Sequence, residues 1–294
     1  GFIYFPAPRS ISSSSGDDEG SRERFSITLN LSNENTLYDS AEISYYTQET
    51  EQSQITVQNQ VSFFGGMRAP PTPTMRIRDF DFNQSIDGFT FEAYKSAGDY
   101  QMIYGLDIEN TETERPRMLT EMNLITGMST NIVDGETYPN KTFPDSETKR
   151  KALFFNNRFG LSDYSVLTLG FRYDDYELNT SPDLLLSNAN ILSYQINNTK
   201  DSAFSLKLGY LQDLSENLTG FVQYAEGFKA PNYETSNTVF TNYLYFYTVT
   251  PNPNLESEES DTLEMGLRGS SKNDSWELAI YRSEVEGFIN PQIV

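Results

Sequence analysis

The chain has 294 residues, with 42 Asp and Glu against 21 Lys and Arg, a formal net charge of −21, and no histidine or cysteine. That balance argues against nucleic-acid backbones and against a polybasic grip on lipid. The two missing residue types remove disulfides, thiolate or imidazole metal sites and a Ser-His-Asp triad. Phe and Tyr are plentiful at 20 and 19, yet no apolar run reaches about eighteen residues, which excludes a membrane-crossing helix but not a membrane-crossing strand.

From its start at Gly1, without a methionine and inside an apolar aromatic run, the chain reads as a piece of a longer protein, with no signal peptide in view. Residues 6–23, with the tract SSSSGDDEG, read as a loop. Alternation then begins: Phe25, Ile27, Leu29 and Leu31 against Ser26, Thr28 and Asn30. It returns as Met102, Tyr104, Leu106 and Ile108 against Gly105, Asp107 and Glu109, and as Leu167, Leu169, Phe171 and Tyr173 against Thr168, Gly170 and Arg172. Phe204, Leu206, Leu208 and Tyr210 oppose Ser205, Lys207 and Gly209, and Leu263, Met265 and Leu267 oppose Glu264, Gly266 and Arg268. Each run is a strand with one apolar and one polar or glycine face. Gly287, Phe288 and Ile289 look like the end of one more.

The connections separate a soluble sandwich from a membrane barrel. Short turns fall near 33–35, 96–99, 161–163, 214–217 and 270–274, and long polar segments near 49–78, 111–150, 177–200 and 229–259. Loops longer than about 12–15 residues are uncommon in compact soluble domains. Here they alternate with tight turns, as they do where one rim of a barrel faces outside. The fold expected is all-β: part of an antiparallel transmembrane β-barrel, about eleven strands, with short periplasmic turns and long extracellular loops. Tyr45, Tyr46, Tyr94, Tyr173, Tyr176, Tyr210 and Tyr224 stand near strand ends and suit the aromatic girdles of such a wall.

Two boxes flank the last long loop: Phe228-Lys229-Ala230-Pro231 and Asn252-Pro253-Asn254-Leu255, the second followed by Glu258, Ser260, Glu264, Gly266 and Arg268. In this order and spacing they resemble the FRAP and NPNL boxes of TonB-dependent outer-membrane receptors for haem and haemoglobin. Residues 76–82 (RIRDFDF), 104–108 (YGLDI) and 143–154 (FPDSETKRKALF) look like further blocks of the haemoglobin, transferrin and lactoferrin receptor group. The resemblance implies a 22-stranded barrel in a Gram-negative outer membrane, of which residues 1–294 are about half, without plug domain, TonB box or final strands. It implies import of haem, or haem from haemoglobin, driven by TonB through the plug, with no chemistry and no tightly bound cofactor. A ferric siderophore or cobalamin as cargo stays open, because the family's histidine between the boxes is absent and lysine stands where arginine is usual. A passive porin or a β-rich adhesin is a more distant alternative.

Tyr233, Tyr243, Tyr245 and Tyr247, inside that loop, are the candidate ligand contacts, since tyrosine can hold haem iron and flat rings stack on a macrocycle or grip a protein. The same residues would serve a loop that merely packs on its neighbours. The prolines of the boxes cannot donate to a ladder, so pairing should stop there. The acidic runs Asp17-Asp18-Glu19 and Glu256–Asp261 lack EF-hand spacing and read as solvated loop faces. Asp107, Arg172, Lys207, Glu264 and Arg268, on polar strand faces, are expected to pair with one another or with the plug.

Overall fold

The computed structural model describes residues 9–33, 36–62, 70–242, 247–252 and 254–290. Strands come in chain order as β1 (Arg9–Ser32), β2 (Ser40–Ser62), β3 (Thr72–Ala97), β4 (Tyr100–Glu114), β5 (Arg117–Asn123), β6 (Ser129–Thr130), β7 (Ile132–Val133) and β8 (Glu136–Thr137). Then follow β9 (Asp145–Ser162), β10 (Ser165–Ser181), helix α1 (Leu184–Ala189), β11 (Thr199–Ser215) and β12 (Leu218–Lys229). Helix α2 (Tyr233–Asn237), β13 (Phe240–Asn242), β14 (Tyr247–Val249), β15 (Glu258–Ser270) and β16 (Ser275–Glu286) complete it.

The long strands form an antiparallel up-and-down path, β1-β2-β3-β4-β9-β10-β11-β12-β15-β16, in a sheet of 12 strands that β5 and β6 join from the side. That is close to the number read from the alternation. Apolar residues line up across the wall. Leu29, Ile43, Phe91, Leu106, Leu153, Tyr173 and Phe204 are successive cross-strand partners on one face. Nearer the tight turns, so are Phe159, Leu167, Tyr210, Val222, Met265 and Ile280. These side chains are not covered: Leu153 is 59% exposed, Phe204 61% and Ile280 69%. A belt of this kind belongs against hydrocarbon. The opposite face carries Glu92, Asp107, Arg172 and Asp174, which suits a lumen.

Every tight turn lies at one end of this path and every long connection at the other, as expected. Between β3 and β4 the turn needs only Gly98 and Asp99, and Gly98 supplies the positive φ of 61°. Two expectations need correction. Residues 9–23, 49–62 and 72–78 are strand, not loop: β1, β2 and β3 run on together far past the apolar belt. This tower has little hydrophobic alternation to read, because most of its side chains are polar on both faces. Its backbone ladder is backed by side-chain pairs such as Asn59 Nδ2 to Ser13 Oγ at 3.0 Å. The girdle reading fails for Tyr46, Tyr94 and Tyr176. With period two, Tyr46 must face opposite to Tyr45, and all three lie on the lumen face.

On that face Tyr46 lies across Gly88, its cross-strand partner, and reaches Glu109 with its hydroxyl at 2.8 Å. Phe221 covers Gly266 in the same way. Among the long connections, the one after β4 folds inward. Pro116 breaks the strand, β5 resumes the pairing with β3, and the following residues turn back onto the lumen face of the tower. There Leu119, Val133 and Tyr138 form a small core with Phe80. Arg76, 2% exposed, is held by Glu121 at 2.6 Å and Asp134 at 2.9 Å.

Candidate functional site

Pairing on β12 stops at Lys229, and Ala230 and Pro231 lead into α2. Asn232 caps that short helix, its side-chain oxygen accepting from the Thr235 amide at 2.8 Å. Glu258, where the chain re-enters the wall, is the cross-strand partner of Lys229, and the two form an ion pair at 2.9 Å. The lysine holds the Glu258 carboxyl below its ordinary pKa, with help from the Ile289 amide. The first box is therefore clasped, across the foot of the loop, to the segment that follows the second, with lysine in place of the arginine usual in the resembled box. At Asn252 the side chain accepts from the Asn254 amide at 3.0 Å, an Asx turn that shapes the second box.

Neighbouring loops lock this foot in place. Pro231 is fully buried, and its carbonyl accepts from the Tyr176 hydroxyl at 2.9 Å. The Tyr233 ring packs on Phe143 at 4.9 Å between centroids. The Val239 amide donates to the Thr142 carbonyl at 2.7 Å. Asn237 and Asn197 exchange side-chain to backbone hydrogen bonds, each at 3.0 Å. Lys141, 4% exposed, reaches Asp145 at 2.6 Å and Asp183 at 3.0 Å, which ties the connection after β4 to the cap of α1. Burial works against the Lys141 charge, but the two carboxylates outweigh it and raise its pKa. Burial likewise opposes ionisation of Asp183, and the Leu186 amide and Lys141 reverse the sign.

Beneath this canopy the lumen wall encloses a cleft of about 980 Å³. Phe228, Lys229, Ala230 and Tyr233 line its upper side, and Glu92, Asp107, Arg150, Arg172, Asp174 and Lys207 its wall. Arg172 is spent on Asp174 at 2.9 Å and Asp107 at 3.3 Å, as expected of lumen charges. Arg150 is 61% exposed at its side chain and only 3.9 Å from Glu109, a loose pair that leaves it turned to the open space. Chemically the cleft offers carboxylates and cations side by side, with several aromatic rings, Phe154, Tyr176 and Tyr233 among them. Arg268 sits elsewhere, donating to Glu277 at 2.7 Å and stacked over Phe221.

A family model described as "TonB dependent receptor-like, beta-barrel" matches residues 2–294. The chain belongs to that family. Its members are outer-membrane receptors and transporters of Gram-negative bacteria rather than enzymes. Two relatives, the hemoglobin-haptoglobin utilization protein B of Neisseria meningitidis serogroup A and that of serogroup C, are 26% identical over 149 residues, 49% of this chain and 18% of theirs. The copper transporter OprC has a similar structure, with a TM-score of 0.60 at 15% identity over 92% of this chain and 39% of its own. At that identity the likeness shows the fold alone. The chain thus spans well under half the length of each.

Within this receptor barrel, the structure brings the first box and Tyr233 to the cleft. It does not bring Tyr247 there. That residue is 46% exposed on the β13–β14 hairpin, where its ring meets Phe240 edge-on at 5.8 Å. Asn252, Asn254 and Leu255 shape the loop without lining the cleft. Tyr243, Tyr245 and Pro253 lie outside the described residues. Burial, then Glu234, pushes the Tyr233 phenol up, away from the phenolate that iron ligation needs. Sequence reasoning missed Lys141, Tyr176 and Asn237 as parts of the site. Only the block at 143–154 hinted that its neighbourhood matters, and nothing in the sequence tied it to the first box.

Proposed function

We propose that this chain is part of the barrel of a receptor that takes up haem, captured free or from haemoglobin, across a Gram-negative outer membrane. TonB would supply the energy through a plug domain carried elsewhere in the protein. The observation that carries this reading is the match, over about half of the chain, to relatives named for haemoglobin–haptoglobin use, together with the ion pair from Lys229 of the first box to Glu258 just past the second. Arg150 and Lys207, facing the cleft, suit the two carboxylates of haem. The absence of histidine keeps a second reading, a ferric siderophore, because the usual imidazole ligand cannot be supplied by this chain.

The test uses the full-length receptor, purified in detergent and titrated with haem, and the same gene as the sole iron receptor in cells fed haemoglobin. A Soret shift with saturation, and growth, are expected. No Soret change alongside tight binding of a ferric siderophore would move the assignment to the second reading.

A further inference from the structure

Charge is sorted across the tower that β1, β2, β3 and β5 raise beyond the apolar belt. Arg22, Arg24, Arg76, Arg78 and Arg117 all lie on its lumen face by strand alternation. The outward face of those strands, from Glu23 upward, carries Asp17, Glu19, Glu51, Asp79 and Asp81 and no Lys or Arg among the described residues. Above and among these carboxylates sits a second apolar group. Ile55, Asp79 and Met118 form one cross-strand row, Val57, Ile77 and Thr120 the next, and Asn59, Met75 and Met122 the third. Ile55 is 38% and Met118 43% exposed. The connection after β4 covers only the opposite face, so among the described residues this one is left open.

Lipid does not account for it. Ile55 stands roughly 30 Å along β2 from Tyr45 of the belt, at 3.3 Å per residue, with Glu49 and Glu51 between. An apolar patch rimmed by one sign of charge and away from the bilayer is the signature of a protein contact. We propose that the outward face of the tower docks a protein whose own surface presents an apolar centre ringed by Lys and Arg. Charge complementarity selects that occupant: a second copy would bring the same carboxylates into opposition, and outer-leaflet phosphates are anionic. The placement of the tower outside the cell rests on the receptor reading; the cargo does not enter. The docking face is turned away from the cleft, so the partner stands beside the ligand path.

The experiment places a photo-cross-linking amino acid at Val57 of the full-length receptor in intact cells, with Gln54, on the lumen face, as control position. Expected is an adduct with one other protein from position 57 and none from 54, with that protein's basic surface carrying the linked peptide. The yield should fall about tenfold in the double variant Asp79→Lys, Asp81→Lys and in high salt. The conservative pair Asp79→Asn, Asp81→Asn should give a smaller loss, which guards against misfolding of the reversed variant. Adducts only with lipopolysaccharide or with another receptor copy, no adduct, or a yield indifferent to salt and charge reversal would overturn the proposal. Haem titration of the same variants is expected to be unchanged, so failure here is distinct from failure of the haem reading.

Discussion

The Tyr176 hydroxyl donates to the Pro231 carbonyl at 2.9 Å, and both residues are buried. One bond thus joins the top of β10 to the first box, at the point where β12 can no longer pair with its neighbours. It also explains why Tyr176, a residue that reads from the sequence as a membrane-girdle aromatic, faces inward.

Tyr176→Phe keeps the ring and leaves a buried carbonyl without a donor, at a cost of about 1–2 kcal/mol. Hydrogen–deuterium exchange on the full-length receptor should show faster exchange over 232–239 and no change in β11. Unaltered exchange there would mean that the bond does not hold the loop.

Tyr233 offers a contrast between packing and ligation. If its ring contact with Phe143 is what matters, Tyr233→Phe retains haem affinity within about twofold. Tyr233→Ala loses an aromatic pair worth about 0.5–1.5 kcal/mol beyond its area, a weakening of up to about tenfold. The haem titration of both variants decides it, because loss of the Soret shift in the phenylalanine variant would make the phenol a ligand.

The Lys141–Asp145–Asp183 cluster makes the canopy sensitive to pH in two directions. Asp183 titrates below its ordinary 3.8 in the folded protein, so its stabilising effect is present above that value and is lost as pH falls through the lower folded value. Lys141 titrates above its ordinary 10.5, so its effect is complete below that value and is lost as pH rises through the higher folded value. A spin label at Ile191, which is 58% exposed beyond α1, should stay restricted between these limits and loosen outside both. Lys141→Met should loosen it already at neutral pH, by removing the shared donor at about 1–3 kcal/mol.

Gly88→Val tests the aromatic cover on the lumen wall. A Cβ at position 88 would collide with the Tyr46 ring, which forces the ring away from Glu109 and from the Arg24 guanidinium stacked on it at 4.1 Å. Overpacking of this kind costs about 1–3 kcal/mol. The temperature at which the folded receptor unfolds in detergent gels should fall, whereas the same change at Gly20, where a Cβ has room at 3.8 Å, should leave it almost unmoved.

The wall itself was legible in the chain because each of its strands must choose between hydrocarbon and a polar lumen at every residue. Phe204, Leu206 and Leu208 against Ser205 and Lys207 carry that choice plainly. The tower was not legible for the same reason reversed: Ser13, Ser15, Gln52 and Gln54 meet water or polar neighbours on either face, so no period appears, and only the backbone ladder makes them strands. The boxes could be recognised, but Lys229 and Glu258 are far apart in sequence, and their ion pair exists only because β12 and β15 are adjacent.

The order of residues by itself determined an all-β wall with its apolar side outward, the separation of tight turns from tall connections, and the absence of imidazole and thiolate chemistry. Tertiary structure alone decided which tyrosines face the cleft, which carboxylates neutralise Lys141 and Arg76, and that the tower segregates its charges between two faces. The reason is range. Alternation acts between neighbours along one strand and is written locally, whereas ion pairs, ring contacts and bare faces depend on how distant segments meet above the rim.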